Sequence, residues 1–167
     1  MTLSVQAIAT AGLAEVVARR VRGEALSDAE LSQARAVDLM VLGAAADAIR
    51  RADVGDEVKL HVGVAPTNAD GLVVIGNEAP KGTELLRHVA MTRLAMPQGG
   101  RLCVDFAACG LEISQIALAF GASELAGPLA SKRGLQLVDS GKALKRRTEL
   151  AGYVTRAQRT PVFVETR

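Results

Sequence analysis

The stretch Arg101 to Leu129, RLCVDFAACGLEISQIALAFGASELAGPL, most constrains what this chain can become. It reads as a strand over 101–106, a helix over 111–120 and a second short strand near Glu124 to Ala126. Links this brief between strand, helix and strand favour parallel strands joined by a right-handed crossover. The expected fold class is α/β: a small, partly parallel sheet with flanking helices.

The other elements are consistent with that plan. Val5, Ile8, Leu13, Val16 and Val17 give residues 3–22 a helical period that ends in Arg19, Arg20 and Arg22 before Gly23. Ser27 followed by Glu30 is a capping box, and Leu31, Ala34, Val37, Leu42, Ala46 and Ile49 continue on one face of a second helix ending near Arg51. From Glu57 to Val64 the period drops to two, with Val58, Leu60 and Val62 alternating against Lys59 and His61. A loop over 65–71, a short strand LVVIG and a helix from Thr83 to Met96 lead into the opening stretch. A last helix near 139–150 and a strand at Pro161 to Glu165 complete the reading. The chain is expected to be one domain, with a helical N-terminal segment (1–56), an α/β core (57–130) and a C-terminal helix and tail (131–167).

Composition narrows the function classes. Of 167 residues, 49% are apolar but only 2% aromatic, so the core must be close-packed aliphatic material and no base-stacking platform is available. A net charge of +2 with both signs interspersed gives no nucleic-acid surface, and the basic run Lys142 to Arg147 reads as a solvated helix face. No apolar run reaches the ~18 residues of a membrane span. The N-terminus is apolar and then basic, the reverse of a secretory signal, and the two cysteines suit reduced thiols. A cytoplasmic protein is expected.

Candidate chemistry is sparse. Cys109 sits between a strand and a helix start, where a helix dipole would lower its thiol pKa, and Asp105, His61, His88 or Glu112 could act as its acid–base partner. A small side chain packed in a tight Ala-Cys-Gly turn explains Cys109 equally. Asp105 sits within the strand among apolar neighbours, so it is either paired or near a site. In GASELAG, Gly121, Ser123 and Gly127 could meet a ligand or simply form the connection. Two histidines and two cysteines without ligand spacing give no expectation of a metal or other cofactor.

Three stretches, in order along the chain, carry a family likeness. LSDAELSQARAVDLMVLGAAADAIRRADVGDEVKLHV (26–62) is followed by Pro66-Thr67-Asn68; GTELLRHVAMTRLAM (82–96) is followed by the opening stretch with GASELAG (121–127); and ELAGYVTRAQRT (149–160) lies near the end. In these the chain resembles the radical S-adenosylmethionine enzymes of the futalosine menaquinone pathway and the related deazaflavin-cofactor synthases. Those enzymes place Cys-x3-Cys-x2-Cys after the first strand to ligate a [4Fe-4S] cluster; here Asn68 is followed by ADGLVV.

The resemblance implies a partial, unclosed barrel, because a closed eight-stranded α/β barrel takes ~250 residues. The central units would be missing, leaving the first strand beside the last strand–helix units across the closing seam. It also implies a non-catalytic binding or assembly protein linked to menaquinone biosynthesis, with Asn68 among the ligand-binding candidates. Open sheet edges would favour a protein partner, either a second copy or a full-length relative. The alternative is a small enzyme or small-molecule binder that uses a residual pocket at the strand C-terminal ends.

Overall fold

The structure, a computed structural model, describes residues 3–62, 66–69, 71–129 and 146–165. Each of the two N-terminal helices expected from periodicity is divided in two. The first gives α1 (Leu3–Thr10) and α2 (Ala14–Val21). Between them the Leu13 N–H donates back to the Ile8 carbonyl, with Gly12 at φ 74, so the apolar stripe turns a corner that its spacing did not reveal. The second begins at the expected capping box, where the Ser27 N–H donates to Glu30 Oε2 at 2.8 Å, and gives α3 (Asp28–Ala36). Asp38 then accepts from the Met40 N–H at 2.8 Å and starts α4 (Leu39–Val54), so a competing cap breaks a run that periodicity alone would continue.

Among the described residues five strands follow: β1 (Glu57–Val62), β2 (Leu72–Ile75), β3 (Arg101–Asp105), β4 (Glu124–Gly127) and β5 (Thr160–Glu165). They form an open, all-parallel sheet in the order β2-β3-β4-β1-β5. α5 (Thr83–Ala95) joins β2 to β3, and α6 (Phe106–Cys109), α7 (Leu111–Ala117) and a 3-10 turn (Leu118–Phe120) join β3 to β4. α8 (Arg147–Arg156) precedes β5; of the helix expected at 139–150, residues 139–145 lie outside the described residues, as do Gly63 and Val64 of the first strand. The C-terminal segment is more than a tail, because β5 pairs with β1 over the whole of both strands.

Successive steps from β2 to β3 to β4 and on to β5 run in one direction across the sheet. Right-handed crossovers therefore place their helices on one face. That face is aliphatic: Val58, Leu60, Leu102, Val104 and Leu125 are wholly buried and form one core with Ile49 of α4, Val89 of α5 and Val154 of α8. Full burial of each such side chain contributes about 1.5–3 kcal/mol.

An ion network ties the helices to that core. Arg20 of α2 pairs with Asp53 of α4 at 3.1 Å, and both side chains are almost wholly buried. Arg93 of α5 lies 3.8 Å from the same carboxylate and donates to the Gly121 and Gly100 carbonyls at 2.8 and 2.6 Å. Burial pulls the Arg93 guanidinium down to about 10, against the attraction of Asp53. Asp47 of α4 receives Arg50 at 2.9 Å and Arg159, just before β5, at 2.7 Å, which anchors the last strand to the fourth helix.

Both sheet edges are blunted. Outside β2, Leu72 exchanges hydrogen bonds with Ala69, and the Val74 N–H donates to Asn68 Oδ1 at 2.6 Å. On β5 the Thr160 N–H bonds to the Asp56 carbonyl of the strand-1 side, so the parallel pattern turns Pro161 and Phe163 outward, and Pro161 has no N–H to offer.

Candidate functional site

Alternation puts the other parity of each strand on the second face of the sheet: Lys59 and His61 from β1, Arg101, Cys103 and Asp105 from β3, Glu124 and Ala126 from β4. Register sets Glu124 level with Cys103 on one side and Lys59 on the other, with His61 one step further along β1. Neighbouring strands lie only ~4.8 Å apart, so these side chains must meet.

They meet as a buried polar cluster. His61 Nε2 lies 2.5 Å from Glu124 Oε2, and Arg101 Nε donates to Glu124 Oε1 at 2.5 Å. The side chain of Glu124 is 1% exposed and that of His61 7%, whereas Arg101 at 40% reaches solvent and lies over the carboxylate. Burial raises the Glu124 pKa, but the hydrogen bonds and charges of Arg101 and His61 outweigh it and hold the carboxyl below the usual range. Cys103 is wholly buried beside them. Burial, then the Glu124 and Asp105 carboxylates, push its thiol up to about 12, so it is protonated at neutral pH.

A second feature lies at the C-terminal ends of β2 and β3, where open α/β sheets take ligands. A cavity of about 440 Å³ is lined by Val73 to Pro80, His88 and Asp105. His88 is exposed on α5, and Asp105 accepts from the Ala107 and Ala108 N–H groups at 2.8 and 3.4 Å, which caps α6. The cavity thus joins Asp105 and His88, with Asn77 and Glu78 from the loop after β2.

The structure separates the remaining candidates. Cys109 lies at the end of α6, a helix of four residues, with Sγ 3.8 Å from the Ile75 and Gly76 carbonyls. Burial and then Asp105 raise its thiol pKa, the opposite of the lowering expected from a helix start. Glu112 is exposed in the first turn of α7. Asn68 is an edge cap on β2. Gly121, at φ 101, and Ser123 serve the scaffold: the Gly121 carbonyl receives Arg93, and Ser123 Oγ accepts from the Leu102 N–H at 2.9 Å. Gly127 lies so close to the Phe106 ring that a Cβ would stand 2.4 Å from it.

A [4Fe-4S] cluster does not fit these residues. The chain has two cysteines; Cys103 faces the polar cluster and Cys109 packs against the backbone after β2, so no three-thiolate set exists after β1. His61 and His88 likewise belong to different sites.

The cluster of His61, Arg101, Cys103 and Glu124 was not assembled from the sequence, although its parity was visible. Polar residues of one parity recur on strands that otherwise read Val-x-Leu or Leu-x-Val. What pairs them is the seating of β1 directly beside β4, which no local pattern specifies. No helix among the described residues is long and apolar enough to cross a membrane. No family model matches the chain, and no curated protein matches it either.

Proposed function

We propose that the chain is a non-catalytic binding or assembly protein built on a shortened radical S-adenosylmethionine enzyme scaffold, at work in menaquinone biosynthesis. One observation carries this reading: β1 lies parallel to β4, pairing Lys59 to Val62 with Glu124 to Gly127, the adjacency expected when the first and last units of a barrel meet without the middle ones. The missing cluster cysteines support the loss of radical chemistry. The partner is a second copy or a full-length relative. Anaerobic treatment of the purified chain with iron, sulfide and a strong reductant should give no cleavage of S-adenosylmethionine, and mixing with a full-length relative should give a defined complex by light scattering. Cleavage by the chain alone, or a monomer under every mixing condition, overturns the reading.

The cavity favours a second reading, a small-molecule binder or small enzyme that uses the strand C-terminal ends. Asp105, His88, Asn77 and Glu78 line it together with the apolar residues Val73 to Ile75, a mix of polar groups and apolar surface that suits a small ligand. A ligand found by thermal-shift screening should lose affinity in His88→Ala, whose exposed side chain leaves the fold intact. An unchanged affinity places the ligand elsewhere.

A further inference from the structure

We infer that His61, Cys103 and Glu124 form a binding site for a divalent metal ion of the zinc type. The three side chains come from adjacent parallel strands, and their ligand atoms lie within 4.8 Å of one another. An imidazole nitrogen, a thiolate sulfur and a carboxylate oxygen are the donor types that Zn²⁺ and Co²⁺ share, and three protein ligands leave a fourth, open position. A hard, all-oxygen ion such as Mg²⁺ would have no use for the sulfur.

The surroundings suit this use better than a purely structural role. Arg101 donates to both oxygens of Glu124, from Nε to Oε1 at 2.5 Å and from Nη2 to Oε2 at the longer distance of 3.3 Å, while Oε2 also meets His61 Nε2 at 2.5 Å. In that arrangement Arg101 is a positioning residue that orients the carboxylate, as hydrogen-bond partners of metal ligands commonly do. A metal would replace the 2.5 Å hydrogen bond between His61 and Glu124, separating the two atoms to ligand distances, and the proton leaving Cys103 would pass to solvent. Arg101, at 40% exposure, is the member of the cluster that reaches solvent, so the site lies one side chain beneath the surface. The Cys103 thiolate and the Glu124 carboxylate together offset the two charges of the ion, while the Arg101 guanidinium keeps its own charge at the solvent side of the cluster.

The test uses the full chain, stripped with chelator and titrated with Co²⁺ alone. One equivalent should bind, with a near-ultraviolet thiolate-to-cobalt charge-transfer band and the visible bands of a four-coordinate ion, and one equivalent of Zn²⁺ should displace it. Cys103→Ser should abolish the charge-transfer band; His61→Asn should weaken uptake, and Arg101→Gln should weaken it about 10- to 100-fold while leaving the sulfur ligand in place. X-ray absorption of the zinc-loaded wild-type chain supplies a readout independent of variant folding, one sulfur with nitrogen and oxygen scatterers. Failure of the wild-type chain to bind a stoichiometric ion, an all-nitrogen-and-oxygen shell, or an unchanged band in Cys103→Ser overturns the inference.

Discussion

The two faces of one sheet are built on opposite principles. Towards the helices, β1, β3 and β4 present Val58, Leu60, Leu102, Val104 and Leu125, all wholly buried in one aliphatic core. One residue away on the same strands stand Lys59, His61, Arg101, Cys103 and Glu124, and the apolar material there shrinks to a small group of Leu72, Cys103 and Ala126 flanked by Val74. A strand buried on both faces normally reads as a continuous apolar run. Here the alternation survives even where both faces are buried: on the second face the charged groups stand on the strands themselves, whereas on the first the buried ions, Arg20, Asp53 and Arg93, are carried by the helices. The first face holds the fold together, and the proposed metal site rests on the polarity of the second.

This contrast can be broken one residue at a time, and the expected losses descend across the sheet. Leu60→Ala, on the helix side of β1, should cost about 2–5 kcal/mol in urea unfolding, because the helices around it cannot collapse into the void. Glu124→Ala, on the other side, should cost about 1.5–3 kcal/mol, since it strands His61 and frees an arginine that can return to water. Equality of the two losses, or a larger one at Glu124, would mean that the polar cluster carries the core.

The third expectation concerns pH. The folded-state pKa of Glu124 is held below its unfolded value, so its contribution to stability is present above about 4.5, the unfolded carboxyl range, and is lost as pH falls through the folded pKa. Glu124→Gln should therefore flatten the acid side of the stability curve below about pH 4.5 and leave its neutral side with the same slope. A wild-type curve that is already flat there would show that Arg101 and His61 do not hold the carboxylate. Smaller still, Val162→Ala on the half-buried second face of β5 should cost about 1 kcal/mol or less, a fraction of the Leu60→Ala loss.

Much of this scaffold was legible along the chain. The opening stretch gave β3, the helix after it and β4; Ser27 and Glu30 gave the start of α3; and period-two alternation gave β1. The helix breaks at Gly12 and Asp38 were less so, because local caps interrupt stripes whose spacing remains helical on both sides. Asp105 and His88 do share a cavity, as residues at the strand ends can, whereas Asn68, Gly121 and Ser123 turned out to satisfy backbone groups of the scaffold itself. The His61 and Glu124 pair lies 63 residues apart in sequence and depends on strand order, which periodicity does not encode.

The most direct test of a face kept polar for binding is the urea unfolding free energy of the triple variant His61→Leu, Arg101→Met, Glu124→Leu. Replacing a whole buried charged cluster by apolar groups of similar size is often neutral or stabilising by about 1–4 kcal/mol, whereas removing one member is not. An unchanged or higher free energy is the predicted result. A loss of more than about 3 kcal/mol would contradict the account and make the cluster part of what folds the chain.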